Sequence, residues 1–480
     1  MVPREPNFFG GFIATSHSGP WDYLQRVPLV FYGPGFIRPR GGVDLGREVT
    51  LADIAPTLAE LVGSPWPRGR PGRAISEILV PQEQRPEPPR VVVTVVWDGG
   101  GWNVLDAWPG AWPNLARLMH AGASVEASVG SSPSVTPAAH ANIGTGAWPK
   151  QHGIVGIPLR ERGRMFGSFP RKSPKFLELS TIADLHDAAT GNRARVAFIA
   201  YKAWHLAMLG HGASLDGGDK DTAVIVNEQE RFATGRRYYA AAPYLDDVRG
   251  LKAAVRAVDL DDGKLDDTWM GHEILDDPRG RRDTPVWVLH QTKLVKTMLE
   301  RESFGRDAVP DLFFTNYKQI DEVGHNWNMV NPEMRAILAY SDRALANLVR
   351  YLDDRVGKRR WVLTLTADHG QGPDPETSGA WPIAMGELVA DLARRFGMEE
   401  DDLVLHTSPV GLWLHHKALA SAAIDVRDVA AWLLRYRLED NAGGDEVPAQ
   451  YVPRLREPIF SAAFPSTALG RIWSCRRSRR

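Results

Sequence analysis

Asp98, Asp321, His325, Asp368 and His369 each follow closely on an apolar run, in the stretches "VVWDGGG", "FFTNYKQIDEVGHNWN" and "LTLTADHGQG". Asp321 and His325 are spaced i, i+4. Singly, an aspartate after a strand is commonly a turn or cap residue. Together these residues would converge, because ligand sites in open α/β sheets gather beyond the carboxyl ends of the strands. Carboxylates do not sit side by side as anions unless cations hold them. Mixed His/Asp donors without cysteine suit zinc, with manganese or iron the second choice. Two divalent ions roughly 4 Å apart match that ligand number. A candidate nucleophile lies in "SSPSVTPAAHANIGTGAWPKQHGIVG" (131–156), where Thr136 precedes Pro137 at the place of a helix N-cap. A helix N-terminus favours anions, and a nearby metal would lower the hydroxyl pKa, so a threonine alkoxide becomes a workable nucleophile.

The elements that must position these residues are legible as apolar runs. "VPLVFY" (27–32), "VVVTVVW" (91–97), "ARVAFIAY" (194–201), "PDLFFTN" (310–316) and "WVLTLTA" (361–367) are continuous rather than alternating. Such runs indicate strands of a mainly parallel sheet covered by helices on both faces. The clearest helix is expected over 332–352, capped by Asn331, with Pro332 at its first position and Met334, Leu338, Leu345, Leu348 and Leu352 on one apolar face. The alternation predicts an α/β fold. "LVPQEQRPEPPR" (79–90) reads as a linker. Residues 212–285 and 371–450 read as insertions, the second with a helix in "RDVAAWLLRYRL".

The chain has 480 residues, 57 basic and 58 acidic, with 43% hydrophobic composition. That near-neutral balance supplies no field for nucleic acid or an anionic membrane, and only the tail "CRRSRR" is basic. One cysteine, Cys475, excludes an intrachain disulfide framework and a Cys-based zinc site. No apolar run reaches the length of a membrane span, and "MVPREPNFFGG" lacks the apolar region of a secretory signal. These features leave the compartment and the oligomeric state open.

The ordered set (Asp98 after a strand, Thr136-x-x-x-His140 running on to "HGI", Asp321-x-x-x-His325, then "DHG") resembles the alkaline phosphatase superfamily, nearest its type I phosphodiesterase/nucleotide pyrophosphatase branch. The resemblance implies a central mainly parallel sheet with cap-like insertions and a site holding two zinc ions. Asp98, Asp368 and His369 would hold one ion, with Thr136 beside it, and Asp321 and His325 the other. The second ion needs one more histidine, which the family takes from a late segment. Here "SHSGPWDYLQRVPLVFYGPG", near the start, resembles that segment and offers His17. The implied order is circularly permuted. Residues 1–78 would be the displaced C-terminal part of the core and 79–90 the join. Core segments 91–211 and 286–370, insertions 212–285 and 371–450, and a terminal segment 451–480 would complete the chain.

Two positions depart from the family pattern. Ile157 stands where phosphodiesterases often have an asparagine that contacts a phosphoryl oxygen. Lys202, in "YKAWHLAMLGHG", matches a lysine of some monoesterases, but Trp204 stands about where their arginine would be. Trp204, His205 and His211 are candidates for a leaving-group pocket or for packing, and His140 and His152 are expected to be structural or to support the metal ligands. The expected function is hydrolysis of a small phosphate ester by Thr136, with Lys202 as a candidate hydrogen-bond donor to the phosphoryl oxygens and a diester preferred. The alternatives are a monoesterase, a transferase of the same fold and a weakened phosphate-binding relative.

Overall fold

The computed structural model describes residues 1–469 except 11–12, 18, 86, 133, 227–229, 410 and 444–446, and the side chain of residue 279. Cys475 and the basic tail lie outside the described residues. Two compact units are present: Asp22–Gln371, and Met1–Trp21 together with the chain from Gly372 onward.

The larger unit is built on a nine-stranded sheet. In chain order its strands are β1 (Arg26–Tyr32), β2 (Gly41–Gly42), β3 (Val91–Trp97), β4 (Ala123–Ser128), β5 (Val196–Ala200), β6 (Thr222–Val226), β7 (Phe232–Ala233), β8 (Asp311–Tyr317) and β9 (Trp361–Thr366). Their spatial order is β7-β6-β5-β8-β3-β9-β1-β4-β2. Five consecutive strands, β6 to β9 in that order, run parallel. All five apolar runs of the sequence are strands here, but β1 is antiparallel to both neighbours.

Continuous apolar runs form strands at this depth because both faces are covered. Along β3, Val91, Val93, Val95 and Trp97 enter one core and Val92 and Val96 the other, as the two-residue strand repeat demands. Each such buried side chain contributes roughly 1.5–3 kcal/mol over exposure. The first core packs α2 (Pro113–Ala121), α5 (Pro285–Arg301) and α7 (Pro332–Leu352); the second packs α1 (Ile54–Val62), α3 (Thr136–Thr145) and α4 (Ile182–Thr190). Helix α7 spans the expected residues, and its five predicted apolar residues are buried. Asn331 has the extended backbone of a cap, yet its side chain donates to the Trp327 carbonyl instead of capping. In the 371–450 stretch the expected helix runs Val426–Leu433, with Asp425 accepting from the Arg427 amide at 2.8 Å.

Two expected boundaries differ. Residues 212–285 are not wholly an insertion, because β6 pairs with β5 and extends the sheet. Residues 1–78 do not form one piece. Phe8–Phe9 pairs with Pro382–Ile383, and Val2–Pro3 with Phe460–Ala462, so the first 21 residues join the smaller unit. That unit has its own core around Phe9, Trp381, Leu388, Leu392, Leu433 and Phe460. Backbone pairing between sequence-distant strands decides both boundaries, and composition does not reveal it. No helix among the described residues is long and apolar enough to cross a membrane.

Candidate metal centre and active site

Strand register assembles the site. Tyr317 pairs with Trp97 and Thr366 with Val96, so continuing each strand sets Lys318 and Asp368 on either side of Asp98. The Asp98 amide still donates to the Tyr317 carbonyl at 3.0 Å. Beyond it the chain turns at Gly99, where φ is +70° and a Cβ would meet Gln371 Nε2 at 2.2 Å. Only glycine takes that conformation without strain. The turn aims the Gly99 amide at Asp368 Oδ1, 3.0 Å away. After β8 the chain enters α6 (Gln319–Trp327), whose i, i+4 spacing brings His325 Nε2 to 3.4 Å from Asp321 Oδ2.

Asp98, Asp368 and His369 are buried and offer ligand atoms within 4.8 Å of one another. His369 Nδ1 donates to the Gly370 carbonyl at 3.0 Å, which leaves the lone pair on Nε2. Nε2 faces Asp368 Oδ2 at 3.4 Å, Asp98 Oδ1 at 3.5 Å and Asp321 Oδ1 at 3.8 Å. Thr136 Oγ1 lies 3.4 Å from the same nitrogen. Asp368 Oδ2 is buried without a hydrogen-bond partner. Burial, reinforced by the charge of Asp98, pushes the Asp368 pKa well above the carboxylate range. Burial works against the Asp98 anion too, but the Lys318 ammonium, with His205 and His369, holds its pKa well below that range. An orphaned carboxylate oxygen beside an imidazole lone pair and a second carboxylate is a donor set that fits a divalent cation. The cluster is therefore a candidate metal-binding site.

Thr136 is the first residue of α3 rather than its cap, since Val135 takes the extended N-cap conformation. The one-residue shift leaves the hydroxyl at the positive end of the helix. His140 Nδ1 donates to the Thr136 carbonyl at 2.8 Å and holds that turn. His17 lies in the smaller unit, buried, next to Ser16, whose carbonyl is so close to Gly372 that a Cβ there would approach it to 2.5 Å. The Lys202 ammonium lies over the Tyr201 ring, 4.5 Å from its centroid. Ile157 is 41% exposed and brings no polar donor. His211 joins no leaving-group pocket, because its two ring nitrogens go to Asp184 Oδ2 at 2.8 Å and the Leu177 carbonyl at 2.9 Å.

Four residues surround the carboxylates: Asn316, Lys318 and Gln371, which the sequence reading missed, and His205, which it named only for a leaving-group pocket or packing. Asn316 Nδ2 donates to Asp98 Oδ2 at 2.9 Å, and His205 Nε2 lies 3.3 Å from that oxygen. Gln371 Nε2 donates to Asp321 Oδ1 at 3.2 Å. Lys318 Nζ donates to Asp98 Oδ1 at 2.8 Å and also to Asp321 Oδ2. Burial lowers the His205 pKa to about 4, so it faces Asp98 as a neutral ring at pH 7. The one available signal was position: Asn316 and Lys318 flank the last residue of a strand whose neighbours end in aspartates.

His152 is structural, as expected, and gives a pH signature. Its buried ring accepts from the Ile154 amide at 3.1 Å through Nδ1 and donates to Asn142 Oδ1 at 2.9 Å through Nε2. Burial lowers its pKa from 6.5 to about 3. The folded value lies below the unfolded one, so the unfolded chain binds the extra proton in acid. This contribution is whole above the unfolded pKa and is lost as pH falls from 6.5 toward 3. Lowering the pH from 7.5 to 5 should remove about 2 kcal/mol of stability through this group. Urea midpoints measured against pH should show that limb in the parent and a flatter one in His152→Gln. An unchanged slope would place the acid sensitivity elsewhere.

The comparisons with known proteins agree with this architecture. The family model for type I phosphodiesterase / nucleotide pyrophosphatase matches residues 92–451. A curated protein named alkaline phosphatase PafA, from Elizabethkingia meningoseptica, is 21% identical over 420 residues, covering 75% of each chain. One named calcium-transporting ATPase, from Myroides odoratus, is 25% identical over 405 residues, covering 72% of each. The crystal structure of wild-type PafA superposes with a TM-score of 0.57 at 18% identity, over 79% of this chain and 84% of that one, a likeness of fold. The chain belongs to the type I phosphodiesterase/nucleotide pyrophosphatase family of the alkaline phosphatase superfamily and is a hydrolase of phosphoric esters.

Proposed function

We propose that this hydrolase uses Thr136 as its nucleophile, with two zinc ions as cofactors, and prefers phosphodiesters. The observation that carries the reading is the approach of Thr136 Oγ1 to 3.4 Å from His369 Nε2, at the helix end that favours anions. Asp98, Asp368 and His369 are the ligands proposed for one ion. Asp321, His325 and His17 are those proposed for the other. When bound, the ions would neutralise the phosphoryl oxygens and lower the pKa of the attacking hydroxyl.

This chain's own residues do the rest. Thr136 Oγ attacks phosphorus, the P–O bond to the leaving alcohol breaks, and the phosphoryl group is carried as a phosphothreonine ester. Water then cleaves that ester and regenerates the hydroxyl. The N-terminus of α3 stabilises the negative charge that develops beside Thr136. Asn316 and His205 orient Asp98, and Gln371 orients Asp321.

His17 enters this reading through its sequence setting and through chain continuity. It is buried, and its segment runs on into β1, an inner strand of the central sheet that precedes the residues matched by the family model. This supports a circularly permuted order.

The diester preference rests on the Lys202 stretch, where Trp204 stands about where monoesterases have an arginine and the Lys202 ammonium lies against an aromatic ring, 5.9 Å from the Trp204 centroid. That arrangement does not favour the extra charge of a monoester. The name of the PafA relative, an alkaline phosphatase, favours the second reading, a monoesterase. Zinc-reconstituted protein should hydrolyse bis-p-nitrophenyl phosphate with a higher kcat/KM than p-nitrophenyl phosphate. The reverse order would establish the monoesterase and return Lys202, or another donor, to serving the extra phosphate charge.

A further inference from the structure

We propose that Lys318 is a tethered cation that competes with the divalent ions for Asp98 and Asp321 and so weakens metal loading. The inference rests on the assignment of those two aspartates as metal ligands.

Lys318 is 6% exposed, and its ammonium donates to one oxygen of each carboxylate. Those oxygens face the histidines. Asp98 Oδ1, 2.8 Å from Nζ, is the oxygen 3.5 Å from His369 Nε2. Asp321 Oδ2, the other acceptor, is the oxygen 3.4 Å from His325 Nε2. The outer oxygen of Asp98 accepts from Asn316, and that of Asp321 from Gln371. An ion bound by the oxygen of Asp98 that faces His369, or by that of Asp321 that faces His325, would have to displace Lys318 or share the oxygen with it.

The chemistry of the groups makes this a competition. An ammonium has donors and no acceptor, so it cannot bridge to a metal. Charge-assisted hydrogen bonds are the strong ones, and breaking them in a buried site leaves a cation that water reaches poorly. The released ammonium also stands near the incoming charge, and like charges repel most where the dielectric is low. Asp368 does not suffer this competition, since Oδ2 is without a hydrogen-bond partner and Oδ1 accepts from the Gly99 amide.

The test is zinc titration of chelator-stripped parent and Lys318→Met by calorimetry, with bound zinc counted by elemental analysis. Methionine keeps the length of the side chain and removes the donor and its charge. Zinc should bind Lys318→Met at least tenfold more tightly than the parent. Equal or weaker binding would overturn the inference and make Lys318 a positioning residue for the carboxylates. No zinc uptake by either the parent or Lys318→Met would refute the ligand assignment and the inference with it, an outcome distinct from zinc uptake that is indifferent to residue 318. If Lys318→Met is too unstable without zinc for calorimetry, thermal unfolding of that variant and Lys318→Gln at increasing zinc decides. The rise in Tm should be steeper than in the parent. An equal or smaller rise would overturn the proposal.

Discussion

Thr136→Ala is expected to remove ester hydrolysis, lowering kcat by on the order of 10⁴-fold or more, because in the proposed mechanism Thr136 forms the covalent phosphoryl intermediate. The loss should be chemical rather than structural. Thr136 is the first helical residue of α3, and the N-cap position belongs to Val135. Its hydroxyl faces His369 Nε2. Loss of that contact should change stability by about 1 kcal/mol. A Tm within a few degrees of the parent, with zinc content unchanged, would confirm that the fold and the ligands survive. Thr136→Ser, which restores a hydroxyl at the same place, should recover measurable turnover. Full activity in Thr136→Ala would end the nucleophile assignment and leave direct attack by water.

The second large effect concerns the carboxylates. Asp368→Ala should abolish activity and lower the zinc content by one ion per chain. It removes the one site carboxylate with an oxygen lacking a hydrogen-bond partner, beside His369 Nε2. His17→Ala should also lower zinc by one ion, at the other position, while leaving the Asp98, Asp368 and His369 group intact. The two losses should be separable: the double variant should bind no zinc tightly. Bound zinc counted after gel filtration decides. Zinc content unaffected by Asp368→Ala would overturn the ligand set. Content unaffected by His17→Ala would remove the N-terminal segment from the site and, with it, the argument for a permuted chain.

His205 and Lys318 show why half of the site was invisible to sequence reading. Nothing about "YKAWHLAM" marks His205 as a partner of Asp98, because the two are joined by tertiary packing across more than a hundred residues. Lys318 sits three residues before Asp321 and could pass for an exposed residue at a helix start. It is buried because β8 lies beside β3 in a register that sets it against Asp98. The assignment of 1–78 as one piece failed for a related reason. The pairing of Phe8–Phe9 with Pro382–Ile383 draws the first residues into the smaller unit, while β1 stays in the main sheet.

The sequence by itself determined the α/β class, the five apolar strands, helix α7 and the placing of Asp98, Asp321 and Asp368 just beyond strand ends. These are local properties. Apolar continuity, capping signals and polar residues at the end of a run act within a few neighbours of one another. Only the tertiary structure decided the antiparallel setting of β1, the neighbours β8 and β9 that flank β3, and the four side chains that hold the carboxylates. Those follow from which strands pair and in what register, and a hydrogen bond such as that between Lys318 and Asp98 spans 220 positions in sequence. Burial then sets the chemistry: low dielectric turns a row of ordinary aspartates into a cluster that must recruit cations, and Lys318 is the one the chain itself supplies.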